Sequence, residues 1–478
     1  MATKNPLLAT DIYKLGHMEQ YVPGCTKVYS YLSARNSSEF NQLIFFGLQY
    51  YLKEFLTIPL TKSMANELLL YRQKLLGQNS PDVIKKVNKL VKLGYFPIEI
   101  KAIAEGSLVE TKQVLMTITN THPDFFWVVG FLESLLLKVW YSSTVATVSY
   151  NYKLILKKYF DISVPKKHWG NMNFNVHDFG YRGSSSEDSA QLSGAAHLIN
   201  FNGCETLTAL PFIQNYYNGD CLELNISAIP ATEHSVMSSY GEEGEYAAFE
   251  HLLKLYFNSS ISIVSDTYNI YRVVNEYLPK LKSLILERKE KLVIRPDSGN
   301  PINVIFGDPT AAKNSPQYNG ILKILEKTFG TQYNELGFKE LHPKIGIIVG
   351  DGMDLETYEN MLRLFIKKKY SASNLIIGVG KFLRNYTRDT LGFAIKASYI
   401  EINGKPLNIY KKPITDLQKK SYTGLLKLSK KIKQYSTHEK CTWEQEQSGE
   451  LKTVFKDGKI INEYSFEEIR NQNKLLKK

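Results

Sequence analysis

Cysteine is scarce: Cys25, Cys204, Cys221 and Cys441 are the only four in 478 residues, and no two stand at Cys-x-x-Cys spacing. That excludes a disulfide framework and a thiolate zinc site, and it fits a reducing compartment. The first twenty residues lack the apolar core of a signal peptide. The most apolar run, 125–146, is interrupted by Glu133 and Lys138, so it reads as a buried helix rather than a membrane span. A cytoplasmic protein without a membrane partner is expected. Residues 1–165 show no repeating unit. Nor does a tight Arg/Lys tract interleaved with aromatics accompany the net charge of +12. From Lys396 onward there are 18 lysines and arginines against 10 acids. Such a tail could attract anionic substrates, but a solvated basic face with no nucleic-acid partner is the expectation.

What is present is an ordinary soluble composition, 43% hydrophobic and 22% charged, in a chain long enough for two domains. Its organising stretch is Asn175-Val-His-Asp-Phe-Gly-Tyr-Arg-Gly-Ser-Ser-Ser-Glu187. Phe174 and Val176 look like the end of a buried strand near 173–176, after which the pattern breaks into a loop. Ser184 and Glu187 have capping-box spacing ahead of an apolar stripe from Ala190 to Ile199, predicting a helix from about Ser184. A helix N-terminus, Arg182 and the ring of Phe179 or Tyr181 together suit a small anionic ligand with an aromatic part. Taken alone, Phe179 as core and Arg182 as a surface ion pair would read equally well.

Between 166 and 389 strand and helix patterns alternate, which argues for a parallel sheet, open or closed into a barrel. Strands are predicted at 173–176, 261–264, 292–294, 345–349 and 375–377. In such folds ligands lie at the carboxyl ends of the strands. The loops expected there carry Asp178, Phe179 and Arg182, then Glu233 and His234, then Asp266. They continue with Arg295, Asp297, Ser298 and Gly299, then Gly350 and Asp351, and finally Gly378, Gly380, Arg384 and Arg388. Carboxylates beside arginines and glycines suit a Mg²⁺-bound diphosphate ester, the metal taking oxygen ligands and the cations and backbone N–H groups taking phosphate.

Outside that region the style is mixed α+β. A strand is expected at 27–32, a helix at 43–56, and antiparallel strands at 98–103 and 114–119. Toward the end come a strand at 393–402, a hairpin turn at Asn403-Gly404, a partner strand at 407–410, and a second hairpin at Asp457-Gly458. Residues 1–165 and 390–478 are therefore expected to form one discontinuous mixed α+β domain, with 166–389 as an α/β barrel inserted into it.

The collected motifs closely resemble those of the nicotinamide phosphoribosyltransferases. They are His177-Asp-Phe-Gly-Tyr-Arg-Gly183, Glu233-His-Ser235, Ser265-Asp266, Arg295-Pro-Asp-Ser-Gly-Asn-Pro301, Gly350-Asp-Gly352 and Thr387-Arg-Asp389. The likeness begins at Leu7-Leu-Ala-Thr-Asp-Ile-Tyr-Lys14 and runs to Lys419. It implies a type II phosphoribosyltransferase, an irregular α/β barrel joined to a mixed α+β domain, acting as a homodimer with shared active sites. The implied reaction joins nicotinamide to phosphoribosyl pyrophosphate with Mg²⁺, a step of NAD salvage. By the same resemblance Phe179 and Tyr13 of a second subunit would sandwich the pyridine ring, with Arg182, Asp11 and Ser262 beside it. Asp297, with Asp266 as second choice, would stabilise positive charge or organise metal. Arg295, Ser298, Gly299, Gly350, Asp351, Gly380 and Arg388 would hold ribose and phosphates, helped by Lys396, Lys411 and Lys419. His234 would be phosphorylated by ATP as a coupling co-substrate, with Glu233 orienting its imidazole.

Three positions depart from the family pattern. Glu205 stands where an aspartate usually receives the carboxamide NH₂, and Ala228 replaces a serine near the amide, removing a hydrogen bond worth about 0.5–1.5 kcal/mol. Val379 interrupts a glycine run. A carboxylate of either length accepts from an amide and repels nicotinate, so nicotinamide is the expected base. The alternatives are a nicotinate phosphoribosyltransferase and a non-catalytic ligand-binding protein on the same fold.

Overall fold

The computed structural model describes residues 4–472 apart from 36, 38, 221, 416–419 and 433, so Cys221 and Lys419 lie outside the described residues. The chain divides into two compact units, one of residues 1–147, 212–219 and 386–478, the other of 148–211 and 220–385. The boundaries expected at 165/166 and 389/390 therefore move. Helices Trp140–Ser163 and Ala209–Tyr217 each run across a boundary, so no linker or change of composition marks it.

The first unit is built on a seven-stranded antiparallel sheet. Its order is Lys405–Asn408, Phe393–Ile402, Cys25–Ala34, Val114–Asn120, Ile98–Ala102, Lys452–Lys456, Lys459–Ile460. Consecutive residues Val28 to Leu32 are all buried, as expected of a central strand covered on both faces. The Asn403-Gly404 turn has two positive φ angles, 50° and 75°, and pairs Ile402 with Lys405. A two-residue turn of that type fixes the register at once, which is why the partner strand begins at Lys405 instead of 407.

The helix expected over 43–56 is instead a strand, Gln42–Ile44, a glycine turn, and a helix from Leu48 that widens into a π-turn at Leu52–Leu56. Glu105 explains the break. Its buried carboxylate accepts N–H bonds from Gly47 at 2.7 Å and Gln49 at 2.6 Å and a hydroxyl bond from Tyr217 at 3.0 Å, capping the late-starting helix. The apolar run at 125–146 forms several short helices leading into Trp140–Ser163. Among the described residues no single helix is long and apolar enough to cross a membrane, and Trp127, Val128, Phe131 and Leu135 of this run are core.

The second unit holds six parallel strands. They are β1 (Val176–Asp178), β2 (Gly203–Cys204), β3 (Ile261–Val264), β4 (Leu292–Arg295), β5 (Ile345–Val349) and β6 (Leu375–Val379), in the spatial order β2-β1-β6-β5-β4-β3. Strand β5 is buried throughout, the continuous apolar run that a parallel sheet covered by helices requires. β1 starts later than expected because 166–174 coil as a 3-10 helix and pairing with β6 begins at Val176. Helix α1 (Glu187–Leu198) is capped by Ser186, with Ser189 reaching back, rather than by Ser184 with Glu187. Ser184 is held elsewhere, by the Arg384 guanidinium.

Both edges of this sheet meet the same connecting segment. Ser227 bridges Gly203 at the end of β2, and Ala231 bridges Ser262 in β3. Backbone bonds from Ser227 to Asn202 and from Thr232 to Ser262 fasten it.

Candidate functional site

All six strands end on the same side, so the residues following them gather there: Phe179, Glu205, Asp266, Asp297, Gly350 and Gly380. A cavity of about 710 Å³ runs from this rim down the strands. Its lining alternates through β4 and the residue before it: Lys291, Val293 and Arg295 face it while Leu292 and Ile294 do not line it and are core. The two-residue period of a strand thus divides one face for packing from another for a cavity. Glycines at two strand ends leave room for the Phe179 ring and the Asp297 carboxylate. A Cβ at Gly378 would lie 2.1 Å from Phe179 Cδ2, and one at Gly350 would lie 2.4 Å from Asp297 Oδ1 and 3.7 Å from Phe179 Cε2. Phe179, Asp297 and Gly350 are therefore immediate neighbours.

Polar and charged side chains share the lining with apolar ones. Ser262 Oγ and Arg295 Nε are buried without a protein partner, while Arg295 Nη2 donates to the Thr232 carbonyl at 2.5 Å. Glu205 lines the cavity with Ala228 and Phe179. Desolvation pushes its carboxyl up from the usual glutamate range, the Arg295 charge opposing and the Asp178 charge adding to the shift. The His177 imidazole is kept neutral by burial; its Nε2 meets the Phe174 carbonyl at 3.0 Å, leaving Nδ1 unpartnered.

At the rim Asp266 organises the acidic side. Its Oδ2 accepts from the Asp297 N–H at 2.8 Å and the Ser298 hydroxyl at 2.5 Å, while Oδ1 is buried and unpartnered. His234 stands over this pair, Nε2 lying 4.0 Å from Asp266 Oδ1 and 3.9 Å from Asp297 Oδ2. Its ring is half-exposed, and Nδ1 meets the Thr267 hydroxyl at 3.2 Å. Glu233 does not orient this imidazole: its carboxylate accepts from the Ser235 hydroxyl, and Thr267 holds the ring instead. Thr267 escaped the sequence reading although it follows Asp266 directly; threonine after a strand is too common to signal a role.

Two residues expected to face ligand do not. Asp178 is fully buried in a bidentate pair with Arg384, at 2.5 and 2.8 Å, so Arg384 is no phosphate cation. Arg182, Ser298, Gly299 and Asp351 are exposed on the rim loops. Asp11, Tyr13, Arg388, Lys396 and Lys411 belong to the other unit. There Tyr13 is 57% exposed, Asp11 accepts from Ser134 and Arg388 pairs with its neighbour Asp389. Lys396 donates to the Ile395 carbonyl at 2.9 Å, and desolvation lowers its pKa. No described cluster of three His, Cys, Asp or Glu side chains could hold a metal ion by itself.

Sequence comparisons agree with this geometry. Residues 5–75 match the nicotinamide phosphoribosyltransferase N-terminal domain. A nicotinamide phosphoribosyltransferase of Acinetobacter baylyi is 36% identical, with 98% of this chain and 97% of that protein covered. Another, from Xanthomonas campestris pv. campestris, is 35% identical over the same shares of both chains. Among solved structures, the fold is shared with nicotinate-nucleotide pyrophosphorylase from Pyrococcus furiosus, with a TM-score of 0.61 at 14% identity covering 98% of this chain and 95% of that one. Human nicotinic acid phosphoribosyltransferase gives a TM-score of 0.55 at 17% identity, covering 97% and 92%. With residues 174–459, more than half the chain, also matching the family profile, the chain belongs to the nicotinate phosphoribosyltransferase (NAPRTase) family.

Proposed function

We propose that the chain transfers the phosphoribosyl group of phosphoribosyl pyrophosphate to nicotinamide, giving nicotinamide mononucleotide and pyrophosphate on an irregular α/β barrel. The observation that carries this reading is that the unpartnered Ser262 hydroxyl and the Glu205 carboxylate line one cavity with Phe179. A hydroxyl donates to a carboxamide oxygen, a carboxylate accepts from its NH₂, and the phenyl ring takes the pyridine face. The relatives named nicotinamide phosphoribosyltransferase point the same way.

In the reaction the pyridine nitrogen lone pair forms a bond to the anomeric carbon as the bond to the pyrophosphate oxygen breaks, and both electrons of that bond leave with pyrophosphate. No proton need move. The chain's contribution is to align two reactants and neutralise a leaving anion. Arg295 and the rim residues Ser298, Gly299, Gly350, Asp351 and Gly380 would hold ribose and phosphates, and Asp297 would stabilise positive charge developing on the sugar. The donor set fits Mg²⁺: Asp266 offers a free buried oxygen and Asp297 a half-exposed carboxylate. Asp266 and Asp297 would hold the ion only in part, and its other oxygen ligands would have to come from water and the diphosphate. When bound it supplies charge neutralisation at the leaving group.

His234, open to solvent above two carboxylates, suits acceptance of a phosphoryl group from ATP. In a homodimer Asp11, Tyr13, Arg388, Lys396, Lys411 and Lys419 would come from a second copy of the chain, consistent with the exposure of Tyr13. The scarcity of cysteine and the lack of paired spacing support a cytoplasmic location. The rival base is nicotinate, favoured by the raised pKa of Glu205, since a protonated carboxyl can donate to a carboxylate. Incubation with either base, phosphoribosyl pyrophosphate and Mg²⁺, with and without ATP, tests both. Greater kcat/KM for nicotinamide supports the proposal, and preference for nicotinate overturns it.

A further inference from the structure

We infer that Arg384 is a positioning residue for the base pocket: its buried guanidinium ties together the loops that carry Phe179 and Glu205. This rests on the proposed reaction. The guanidinium reaches three strand ends at once. From its own place beyond β6, Nη1 and Nη2 grip both oxygens of Asp178, Nη2 also donates to Thr206 Oγ1 at 3.1 Å, and Nε donates to Ser184 Oγ at 2.8 Å.

The partners stand next to the residues that would meet the base. Asp178 immediately precedes Phe179, and its Oδ1 accepts from the Gly180 N–H at 2.9 Å, fixing the turn behind the ring. Thr206 immediately follows Glu205 and donates to Asp178 Oδ2 at 2.7 Å. The Glu205 N–H donates to the Asp178 carbonyl at 2.9 Å, and the Phe179 N–H to that of Val379 at 3.0 Å. Gly180 makes room: a Cβ there would lie 1.7 Å from Arg384 Nη1. The arginine is thus pressed against the peptide that follows Phe179.

Stability alone is a poor account of such a pair. Burying two charges costs about as much as their attraction returns, and apolar side chains of similar volume often serve as well. What an apolar filling lacks is direction. The planar fork fixes the angle between the Asp178 carboxylate, the Thr206 hydroxyl and the Ser184 hydroxyl, and so the ring plane of Phe179 relative to the Glu205 carboxylate. Burial pushes the Asp178 carboxyl up, but the hydrogen bonds and charge of Arg384 outweigh it and hold the group below the usual aspartate range, so the clamp stays ionised at neutral pH.

Steady-state kinetics of the full-length enzyme test this. Ser184→Ala, which leaves the Asp178–Arg384 ion pair intact and removes only the acceptor of Arg384 Nε, should raise KM for nicotinamide about 3-fold with KM for phosphoribosyl pyrophosphate unchanged and Tm lowered less than in Arg384→Gln. Arg384→Gln should raise it about 10-fold or more and lower Tm. The double change Asp178→Asn with Arg384→Gln should restore Tm but not the nicotinamide KM. The inference is overturned if the two KM values rise together, if neither rises, or if KM recovers with Tm. Wild-type enzyme is assayed first with both bases, and lack of turnover with either ends the functional reading instead. The clamp is then judged by crystal structures of wild type and Ser184→Ala, where an unmoved Phe179 ring overturns it.

Discussion

The ring of Phe179 fills the space that a side chain at Gly378 would need, its Cδ2 standing 2.1 Å from where that Cβ would be. No relaxation short of swinging the ring accommodates a methyl group there. Gly378→Ala is expected to raise the nicotinamide KM about 10-fold through loss of a stacking contact worth ~1 kcal/mol or more, with kcat changed less. Kinetics at saturating phosphoribosyl pyrophosphate check this, and an unaltered KM would show that the ring is not the base platform.

His234→Ala should abolish ATP stimulation while leaving basal synthesis. The imidazole touches Thr267 and faces two carboxylates, yet nothing in the bond exchange at the sugar requires it. Initial rates with and without ATP decide. Equal stimulation in wild type and variant would remove the phosphohistidine from the scheme.

Base choice should depend on pH through Glu205. Its carboxyl is raised by desolvation, so the protonated form persists above the ordinary glutamate range and the ionised form prevails only beyond the raised value. Nicotinamide needs the ionised acceptor, whereas nicotinate tolerates the protonated one. The ratio of kcat/KM for nicotinamide over nicotinate should climb with pH across that window, and Glu205→Gln should flatten it.

Glu105 makes a stability prediction. Burial raises its carboxyl from 4.5 to about 7, against the bonds from Gly47, Gln49 and Tyr217. The folded protein therefore binds a proton more tightly than the unfolded chain. This stabilising contribution is complete below pH 4.5 and is lost as pH rises through about 7. Glu105→Gln loses at least one acceptor bond, about 1–3 kcal/mol, but has no such titration. The Tm gap between wild type and variant should narrow from pH 5 to pH 8; a gap that widened would mean the carboxylate is preferred when charged.

Much of this was legible in the chain because parallel strands advertise themselves. Apolar runs such as 261–264 and 345–349 match their strands residue for residue, and the acids and glycines after them fall where such a sheet brings its ends together. What escaped was whatever depends on partners distant in sequence. Asp178 has the sequence position of a ligand residue, but Arg384, 206 positions on, engages it. Ser184 looked like a cap for the same reason. The 43–56 segment has helical spacing, and only the buried Glu105 reveals why its helix starts late. Two of the four unit boundaries are invisible because helices Trp140–Ser163 and Ala209–Tyr217 cross them.

One narrow strip has a consequence for engineering. Residues 227–232 close the sheet at both margins through one isolated bridge on each side, and the same strip presents Ala228 and Ile229 to the cavity. Retuning base selectivity there also perturbs the seam that denies a stray chain its docking edge. Hydrogen exchange at the Ser227 and Thr232 amides would register such loosening first, and variants at 228 selected for a new base should be screened for self-association as well as turnover.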